Sequence, residues 1–321
     1  MNKKKILALV ALLLVSVLML ASCGAGKFTM GTGGTGGTYY AFGAVLSQYI
    51  ENNANVSCVA VSTDGSKANI QGIDAGDYQL GTVQSDVMSY AYNGERLFDT
   101  VIDGFSVVAA LYMEQVQIVT CDPTIKTVAD LAGKRVSIGA AGSGVYFNAI
   151  DVLGCYGLTE ADIIPTYQGF GDSANALKDN QIDAAFVVSG APTTAIVELA
   201  TTKTAYLVSI EDANVDKLLK TSPYYAKSII KAGTYNGQTS DVTTVAVGAV
   251  ILARNDIPEN AIYALVSDIF ATAADSSAAA AHAKYGELSL DFGASITSVP
   301  YHPGAAKYYK EQGITIPDYL K

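Results

Sequence analysis

The chain has 321 residues, of which half are apolar and 16% are charged, and this composition forms a large core rather than a disordered polymer. The formal net charge of −10 argues against nucleic acid or an anionic surface as the main partner, because both require a basic footprint. A small anionic ligand remains compatible with this charge, since nearby dipoles outweigh distant, screened charges. Hydrophobic cores stop growing at about 250–300 residues, so we expect two domains.

The chain begins with a predicted secretory signal over residues 1–22. Three lysines at residues 3–5 precede the apolar run Ile6–Ala21, whose 16 residues are few for crossing roughly 30 Å of hydrocarbon. The exit Leu20-Ala21-Ser22-Cys23 resembles a bacterial lipobox, so we expect Cys23 to carry a lipid; ordinary cleavage nearby, with Cys23 incidental, is the alternative. Removal of the signal leaves 17 basic and 30 acidic side chains, a formal charge of −13.

Few residues suit metal binding or covalent chemistry. The three further cysteines, Cys58, Cys121 and Cys155, cannot all pair, and the first and last lie in apolar patterns typical of buried thiols. The chain has two histidines, His282 and His302, and we expect the second to be a surface turn residue. We therefore expect no metal, no cofactor and no enzyme; no GxSxG, HExxH or Walker A motif is present.

In chain order, apolar and β-branched runs predict strands. The predicted strands are Phe28–Gly31, Val56–Val61, Gln79–Val83, Phe105–Leu111, Val116–Thr120, Arg135–Gly139, a segment near Ile164, Ile182–Val188, Tyr206–Ile210 and Val242–Ala253. Helical spacing or capping signals predict helices between most of them. The first predicted helices follow the first glycine loop, cover Ser66–Ala75 and run from after Val83 through Tyr92. Later predicted helices cover Val145–Tyr156, begin at Ser173, run from Pro192 to about Ala200 and run from Pro258 towards Tyr285. Capping-box spacings at Thr127/Asp130 and Thr159/Asp162 predict two short helices. This alternation predicts an α/β fold with mainly parallel sheets, which bind ligands outside the carboxyl ends of their strands.

Two glycine-rich loops leave strands and open helices. Gly31–Gly37 contains five glycines in seven residues, and Gly139–Gly144 contains three in six. A helix start offers free N–H groups and partial positive charge, which suit a carboxylate or a phosphate. Two such loops, one in each half of the chain, predict an anion site across a cleft; tight strand-to-helix turns are the alternative. The first loop also fits the dinucleotide fingerprint GxGxxG, but the acid that this motif expects about 20 residues further on is poorly placed, since Asp64 lies 28 residues beyond Gly36.

The candidate ligand site combines these loops with polar residues at strand ends. The three arginines Arg96, Arg135 and Arg254 lie outside both loops, so we interpret them as structural. Each candidate is alternatively a cap or a turn residue. The candidate ligand-binding residues are Thr35, Gly36, Thr38, Tyr39, Ser66, Gln84, Ser85, Tyr112, Ser143, Gly144, Val145, Gly190, Pro192 and Thr193.

The ordered set of motifs resembles the TAXI family, the solute receptors of TRAP transporters. The similar segments are Gly33–Tyr40, Gly65–Asn69, Gln84-Ser85-Asp86, Asp130–Val136, Gly142-Ser143-Gly144, Ile182–Phe186, Gly190-Ala191-Pro192 and Tyr301–Ala305, and the resemblance covers about residues 28–316. One departure is the pair Ala41-Phe42, where that family has Pro-Leu after its two tyrosines. A changed ligand preference would follow if this pair formed part of the pocket wall.

The resemblance implies a two-lobed α/β fold of the periplasmic-binding-protein type II class with a central ligand cleft. We expect residues 27–120 plus 240–321 to form lobe 1 and residues 121–239 to form lobe 2. The implied function is an extracytoplasmic receptor, anchored through lipidated Cys23, that passes a small anionic solute to TRAP permease subunits in the membrane. Glutamate or another amino acid, or a small organic acid, is the implied solute. An ABC-type binding protein of the same fold is the main alternative, followed by an exported enzyme or a dinucleotide-binding protein.

Overall fold

A computed structural model describes residues 27–53, 57–273 and 276–320; the predicted signal and Cys23 lie outside them. Strands and helices alternate through most of the described chain, as the sequence predicts. The first part comprises β1 (Lys27–Gly31), α1 (Thr38–Asn53), β2 (Ser57–Val61), α2 (Ser66–Asp74), β3 (Leu80–Gln84), α3 (Ser85–Asn93) and β4 (Phe105–Thr120). Among the described residues, no helix combines the length and the apolar character that crossing a bilayer requires.

The middle and last parts of the chain continue this alternation and then end in helices. The middle part comprises β5 (Arg135–Ser137), α4 (Val145–Cys155), β6 (Ile164–Thr166), α5 (Phe170–Lys178), β7 (Ala184–Ser189), α6 (Thr194–Thr202), β8 (Tyr206–Val208), α7 (Asp212–Thr221) and β9 (Ala226–Ile230). The last part comprises β10 (Val242–Arg254), α8 (Glu259–Ala273), α9 (Ser276–Ala281), α10 (Leu290–Gly293) and α11 (Pro303–Glu311).

The described strands form one sheet that runs through both lobes, in the order β2-β1-β3-β10-β4-β7-β5-β6. Strands β1, β2 and β3 are parallel on one side, and β5, β6 and β7 are parallel on the other. The long antiparallel pair β4 and β10 joins the two sides. In addition, β8 pairs with β4 and β9 pairs with β10.

Separate hydrophobic cores make the two ends of this sheet into two lobes. The first core takes Phe105–Tyr112 from β4 and Ala249–Ala253 from β10, and adds an aromatic group that includes Tyr285 and Tyr309. Two further cores lie in the other lobe, and they take residues from Val116 onwards. The change of core along β4 and β10 makes these strands the connection about which the lobes can move.

Strand β4 is longer than the sequence predicts. Two strands were expected, Phe105–Leu111 and Val116–Thr120, but β4 runs without a break from Phe105 to Thr120. Its partners change in mid-strand, since β7 pairs only with Gln115–Thr120. The expected lobe boundary after residue 120 coincides with the end of β4, whereas the change of partner from β10 to β7 occurs at Gln115, which pairs with both strands.

Several local expectations differ in detail from the structure. Both predicted capping boxes form, but they cap single 3-10 turns at Val128–Leu131 and Glu160–Asp162 rather than α-helices. The expectation that His302 lies at the surface is wrong: it is 2% exposed, it caps α11 by accepting from the Gly304 N–H, and its Nε2 lies 3.0 Å from the Ile257 carbonyl. Burial of Cys58 and Cys155 is confirmed.

Candidate functional site

A small cavity lies between the lobes at the carboxyl ends of the parallel strands. Its volume is about 90 Å³, which is room for roughly six to nine water-sized atoms. Loops after β1, β2, β5 and β6 and the last residues of β3 and β7 surround it, which is where α/β sheets bind ligands. Lobe 1 contributes Gly33, Gly34, Gly37, Thr38, Tyr39, Thr63, Asp64, Gly65, Ser66, Gln84 and Glu114, and lobe 2 contributes Ala140, Ser143, Gly144, Val145, Gly169, Phe170, Val188 and Ser189.

Four helices begin at this cavity, two from each lobe. Helices α1 and α2 present Thr38 and Ser66, and helices α4 and α5 present Val145 and Phe170. The first four N–H groups of a helix have no partner within it, and the N-terminus carries a partial positive charge. The arrangement therefore surrounds the cavity with hydrogen-bond donors and positive dipole ends from both sides.

Glycine is required where the two lobes meet most closely. A Cβ atom at Gly144, just before α4, would lie 2.5 Å from Gln84 Cδ and 3.1 Å from Ser66 Oγ. Gly65, just before α2, has a φ of 104°, which is strained for a residue with a side chain. The absence of side chains at these two helix starts lets the lobes approach each other around the cavity.

The charged residues of the cavity lining are both acids, and no lysine or arginine is among them. Asp64 is exposed, whereas Glu114 is 1% exposed, and its Oε2 accepts a hydrogen bond of 2.7 Å from the Tyr39 hydroxyl. Burial raises the pKa of Glu114 well above its ordinary value; the Tyr39 hydrogen bond opposes this shift. The neutral acid is therefore favoured at this position.

The lobes are in contact around the cavity, so the structure is closed. The Thr38 hydroxyl of α1 donates to the Gly190 carbonyl at 2.9 Å, and the Ser189 hydroxyl donates to Thr38 Oγ1 at 3.0 Å. The Ala68 N–H donates to the Gly142 carbonyl at 3.0 Å. These hydrogen bonds join residues of lobe 1 to residues of lobe 2, so they form only when the lobes are in contact. In this closed arrangement the cavity lies between the two lobes.

Comparison with known proteins agrees with this architecture. A model of the NMT1-like family matches residues 30–313. This chain belongs to the NMT1-like family. Among solved structures, a protein of Bordetella bronchiseptica RB50 is 17% identical, with 92% of this chain and 91% of that chain covered and a TM-score of 0.55.

Two further solved structures share the fold of this NMT1-like chain. The alkanesulfonate-binding protein SsuA from Xanthomonas axonopodis pv. citri, bound to MOPS, is 15% identical, with 91% and 92% of the two chains covered and a TM-score of 0.50. The substrate-binding protein of an amino acid ABC transporter is 13% identical, with 82% and 100% covered and a TM-score of 0.50. At these identities the likeness concerns the fold, which is the two-lobed periplasmic-binding-protein class that the sequence implied.

The NMT1-like structure brings half of the predicted site residues together. Both glycine-rich loops reach the same cavity, as their position before helices predicts. The predicted residues that line it are Thr38, Tyr39, Ser66, Gln84, Ser143, Gly144 and Val145.

The other predicted residues lie outside the cavity lining. Those near the lobe contact are Gly36, whose carbonyl accepts from Ala195 N–H, Gly190, which accepts from Thr38, and Thr193, which accepts from Gln117. Thr35 and Pro192 are exposed, and the predicted first-turn position of Pro192 is wrong, because α6 begins at Thr194. Ser85 accepts a hydrogen bond from the Gly248 N–H at 3.1 Å.

Tyr112 lies in the lobe 1 core and outside the cavity lining. It is 1% exposed, its ring lies 5.3 Å from that of Phe42, and the Lys284 ammonium lies 5.8 Å from its ring centre. Phe42 is itself stacked on Tyr285 at 4.2 Å. The Ala41-Phe42 departure from the TAXI pattern therefore changes core packing, since neither residue belongs to the cavity lining.

Sequence reasoning missed lining residues on three elements: Glu114 on β4, Phe170 on α5, and Val188 and Ser189 on β7. Glu114 carried a usable signal, because a single acid inside a long apolar strand is costly to bury unless it has a function or a partner. Gly169 and Phe170 were missed because α5 begins at Phe170, three residues before the predicted start. Thr63, Gly65 and other loop residues lie next to predicted positions.

Proposed function

We propose that this chain is an extracytoplasmic solute-binding receptor that closes on a small anionic solute and delivers it to a membrane permease. The supporting observation is the enclosed cavity at which four helices from two lobes begin. Backbone N–H groups and helix dipoles bind a carboxylate or a sulfonate without a lysine or arginine. The shared fold with an alkanesulfonate-binding protein and an amino acid ABC substrate-binding protein supports a receptor for small molecules.

The lining favours binding over catalysis. Neither histidine and none of the described cysteines lies in it, so no nucleophile is paired there with an imidazole base. The cavity is also too small for a dinucleotide, because about 90 Å³ holds roughly six to nine water-sized atoms. These observations support the receptor over the exported enzyme and the dinucleotide-binding protein.

The lining also contains acceptors that need a donor from the ligand. Gln84 Oε1 is buried without a hydrogen-bond partner, and Glu114 and Asp64 add carboxyl oxygens. An amino acid supplies a carboxylate for the helix starts and an ammonium for these acceptors, whereas a simple organic acid supplies only the first. We infer a small amino acid as the preferred solute, one with fewer than the ten non-hydrogen atoms of glutamate, because the cavity of about 90 Å³ has room for roughly six to nine water-sized atoms; a small organic acid is the weaker candidate.

We infer a TRAP-type permease as the partner and membrane attachment through lipidated Cys23, on the resemblance to the TAXI family. An ABC-type partner is the second candidate, supported by the fold shared with the amino acid ABC substrate-binding protein. Neighbouring genes separate the two candidates. A multi-spanning permease encoded without an ATPase supports TRAP, and an ATPase gene in the same cluster supports ABC.

A thermal-shift screen against amino acids, dicarboxylates, 2-oxo acids, sulfonates, sugars and NAD tests the binding function. A ligand at about 100 times its dissociation constant stabilises the folded protein by about 2.7 kcal/mol, which for a chain of this size corresponds to a shift of several degrees in Tm. We expect a shift with an acidic or neutral amino acid and none with lysine, arginine or sugars. A shift with NAD alone, or with sugars alone, contradicts the anionic-solute receptor.

A further inference from the structure

A second polar cluster joins the lobes behind the cavity, between α3 of lobe 1 and α4 of lobe 2. Asp86 of α3 and Asn148 of α4 have no exposed surface. The Asn148 Nδ2 atom donates to Asp86 Oδ2 at 2.9 Å and to the Tyr225 hydroxyl at 2.8 Å. The Tyr225 hydroxyl donates to Asp151 Oδ2 at 2.9 Å, and Arg96 donates to the same carboxylate at 3.0 Å.

Two hydrogen-bond acceptor atoms of this cluster are unsatisfied. Asp86 Oδ1 and Asn148 Oδ1 are both buried and have no hydrogen-bond partner. Turning the Asn148 amide over does not help, because the single hydroxyl proton of Tyr225 is used by Asp151, so that Tyr225 must accept from Asn148 Nδ2. Two buried acceptors without partners, on side chains that are already hydrogen-bonded to each other, are unfavourable unless one of them carries a proton.

A proton on Asp86 satisfies both atoms. The neutral carboxyl then donates from Oδ1 to Asn148 Oδ1 and accepts from Asn148 Nδ2 at Oδ2, which makes a two-bond acid–amide pair across the lobe interface. The surroundings of Asp86 favour this neutral form. The titratable groups around it are Tyr90 on its own helix, Glu114 on β4, Asp151 on α4, Tyr225 before β9, and Arg96. Arg96 forms an ion pair with Asp151 at 2.9 Å and not with Asp86.

Burial raises the pKa of Asp86 to about 7 in the closed structure; the negative charge of Asp151 adds to this shift, and hydrogen bonds from the Val87 and Asp86 backbone N–H groups and from Asn148 oppose it. If separation of the lobes exposes Asp86 to water, its pKa returns towards the ordinary value of 3.8. A carboxyl whose pKa is higher in the closed state stabilises that state when it is protonated. The stabilisation is complete at pH values below the pKa of the open state. This contribution is lost as the pH rises from there through about 7.

We propose that Asp86 binds one proton from solvent when the lobes close, so that closure through the Asp86–Asn148 pair depends on pH. This inference goes beyond the proposed function and is independent of the identity of the solute. Between the two pKa values, each unit of pH decrease raises the ratio of closed to open protein by up to about tenfold.

Small-angle X-ray scattering of the ligand-free protein at about pH 5.5 and about pH 8.5 measures closure on both sides of the expected midpoint. We expect wild type to be more compact at the lower pH. Asp86→Asn should be compact at both, because its amide reproduces the protonated carboxyl by donating to Asn148 Oδ1. Asp268→Asn is the matched control: Asp268 is a largely buried acid of α8 with a pKa raised to about 6 by burial, outside this interface, and the variant should follow wild type.

The opposite results overturn the inference. Equal dimensions of wild type at both pH values, or an Asp86→Asn variant that expands at the higher pH as wild type does, mean that Asp86 does not bind the closing proton. Asn148→Asp provides an independent variant should Asp86→Asn fail to fold. Its two carboxyls hold one proton at low pH and repel at high pH, so it must expand on alkalinisation more strongly than wild type. Because no ligand is used, these outcomes are separate from those of the screen.

Discussion

At the scale of single residues, the absence of a side chain at Gly144 is what permits closure. A Cβ atom there would lie 2.5 Å from Gln84 Cδ, which belongs to the opposite lobe. We expect Gly144→Ala to keep both lobes folded but to prevent full closure, and to weaken solute binding by at least about tenfold. Titration calorimetry with the solute identified by the screen measures this change.

Gly154 gives a matched control on the same helix. It is exposed near the end of α4, and a Cβ atom there meets nothing within 4 Å. Gly154→Ala should leave affinity unchanged and stabilise the protein by up to about 1 kcal/mol, because alanine loses less backbone entropy in a helix. Equal affinity in the two variants would show that Gly144 is not required for binding.

Single residues also show where sequence reasoning fails. Tyr39 and Ser143 are in the cavity lining as predicted, because a loop that opens a helix places its residues at the carboxyl edge of the sheet. Tyr112 follows an apolar strand in the same way but lies in the core. The direction of a strand side chain depends on which face the sheet buries, and one residue of register reverses it.

At the scale of elements, the first residue of α1 is hydrogen-bonded to residues at the end of β7, in the other lobe. The Thr38 hydroxyl donates to the Gly190 carbonyl and accepts from the Ser189 hydroxyl. Thr38→Val removes both bonds without changing the shape, but Gly190 still accepts from Thr193 and Ser189 still accepts from the Thr38 N–H. We therefore expect a loss of about 1 kcal/mol from the closed state, or about fivefold in solute affinity by calorimetry.

Thr35→Val in the same loop is the control for this prediction. Thr35 is exposed and outside the cavity lining, although the sequence made it an equal candidate. Its substitution should change affinity by less than about twofold. A larger loss for Thr35→Val than for Thr38→Val would mean that the loop binds solute in a different conformation.

Elements with a strong sequence pattern were predicted well, and those with a mixed pattern were not. Strand β10 follows its long β-branched run closely, and α4 begins at Val145 directly after the second glycine loop. Strand β4 was predicted as two strands, and the residues left between them include the polar Glu114 and Gln115. Local pattern cannot reveal that a polar interruption faces an internal cavity and a partner such as Tyr39.

At the scale of the whole molecule, the lobes approach closely enough for a covalent lock. A Cβ atom at Gly142 would lie 3.2 Å from Ala68 Cβ, and disulfides need a Cβ separation of about 3.5–4.5 Å, so a small adjustment suffices. We expect the Ala68→Cys/Gly142→Cys protein to form this disulfide and, when oxidised, to exchange solute at least about a hundredfold more slowly. Reduction should restore exchange.

The disulfide experiment has two controls, the Ala68→Cys single variant and reduction of the double variant. The Ala68→Cys single variant tests for pairing with a native cysteine, of which Cys58 and Cys155 are buried. Stopped-flow exchange of labelled solute is compared before and after reduction. Rapid exchange in fully oxidised double variant would show that solute leaves without separation of the lobes, contrary to a closing receptor.

The sequence by itself determined the local features of this protein: its α/β alternation, the two glycine-rich helix starts and most segment boundaries. These follow from periodicity, capping chemistry and the backbone freedom of glycine, which act over a few residues. Only the tertiary structure decided which of these segments meet. Asp86 and Asn148 are 62 residues apart and Thr38 and Ser189 are 151 apart, and they pair because β4 and β10 bring the two lobes together. Burial of Glu114 and Asp86, which determines their charge, likewise exists only after the lobes have assembled.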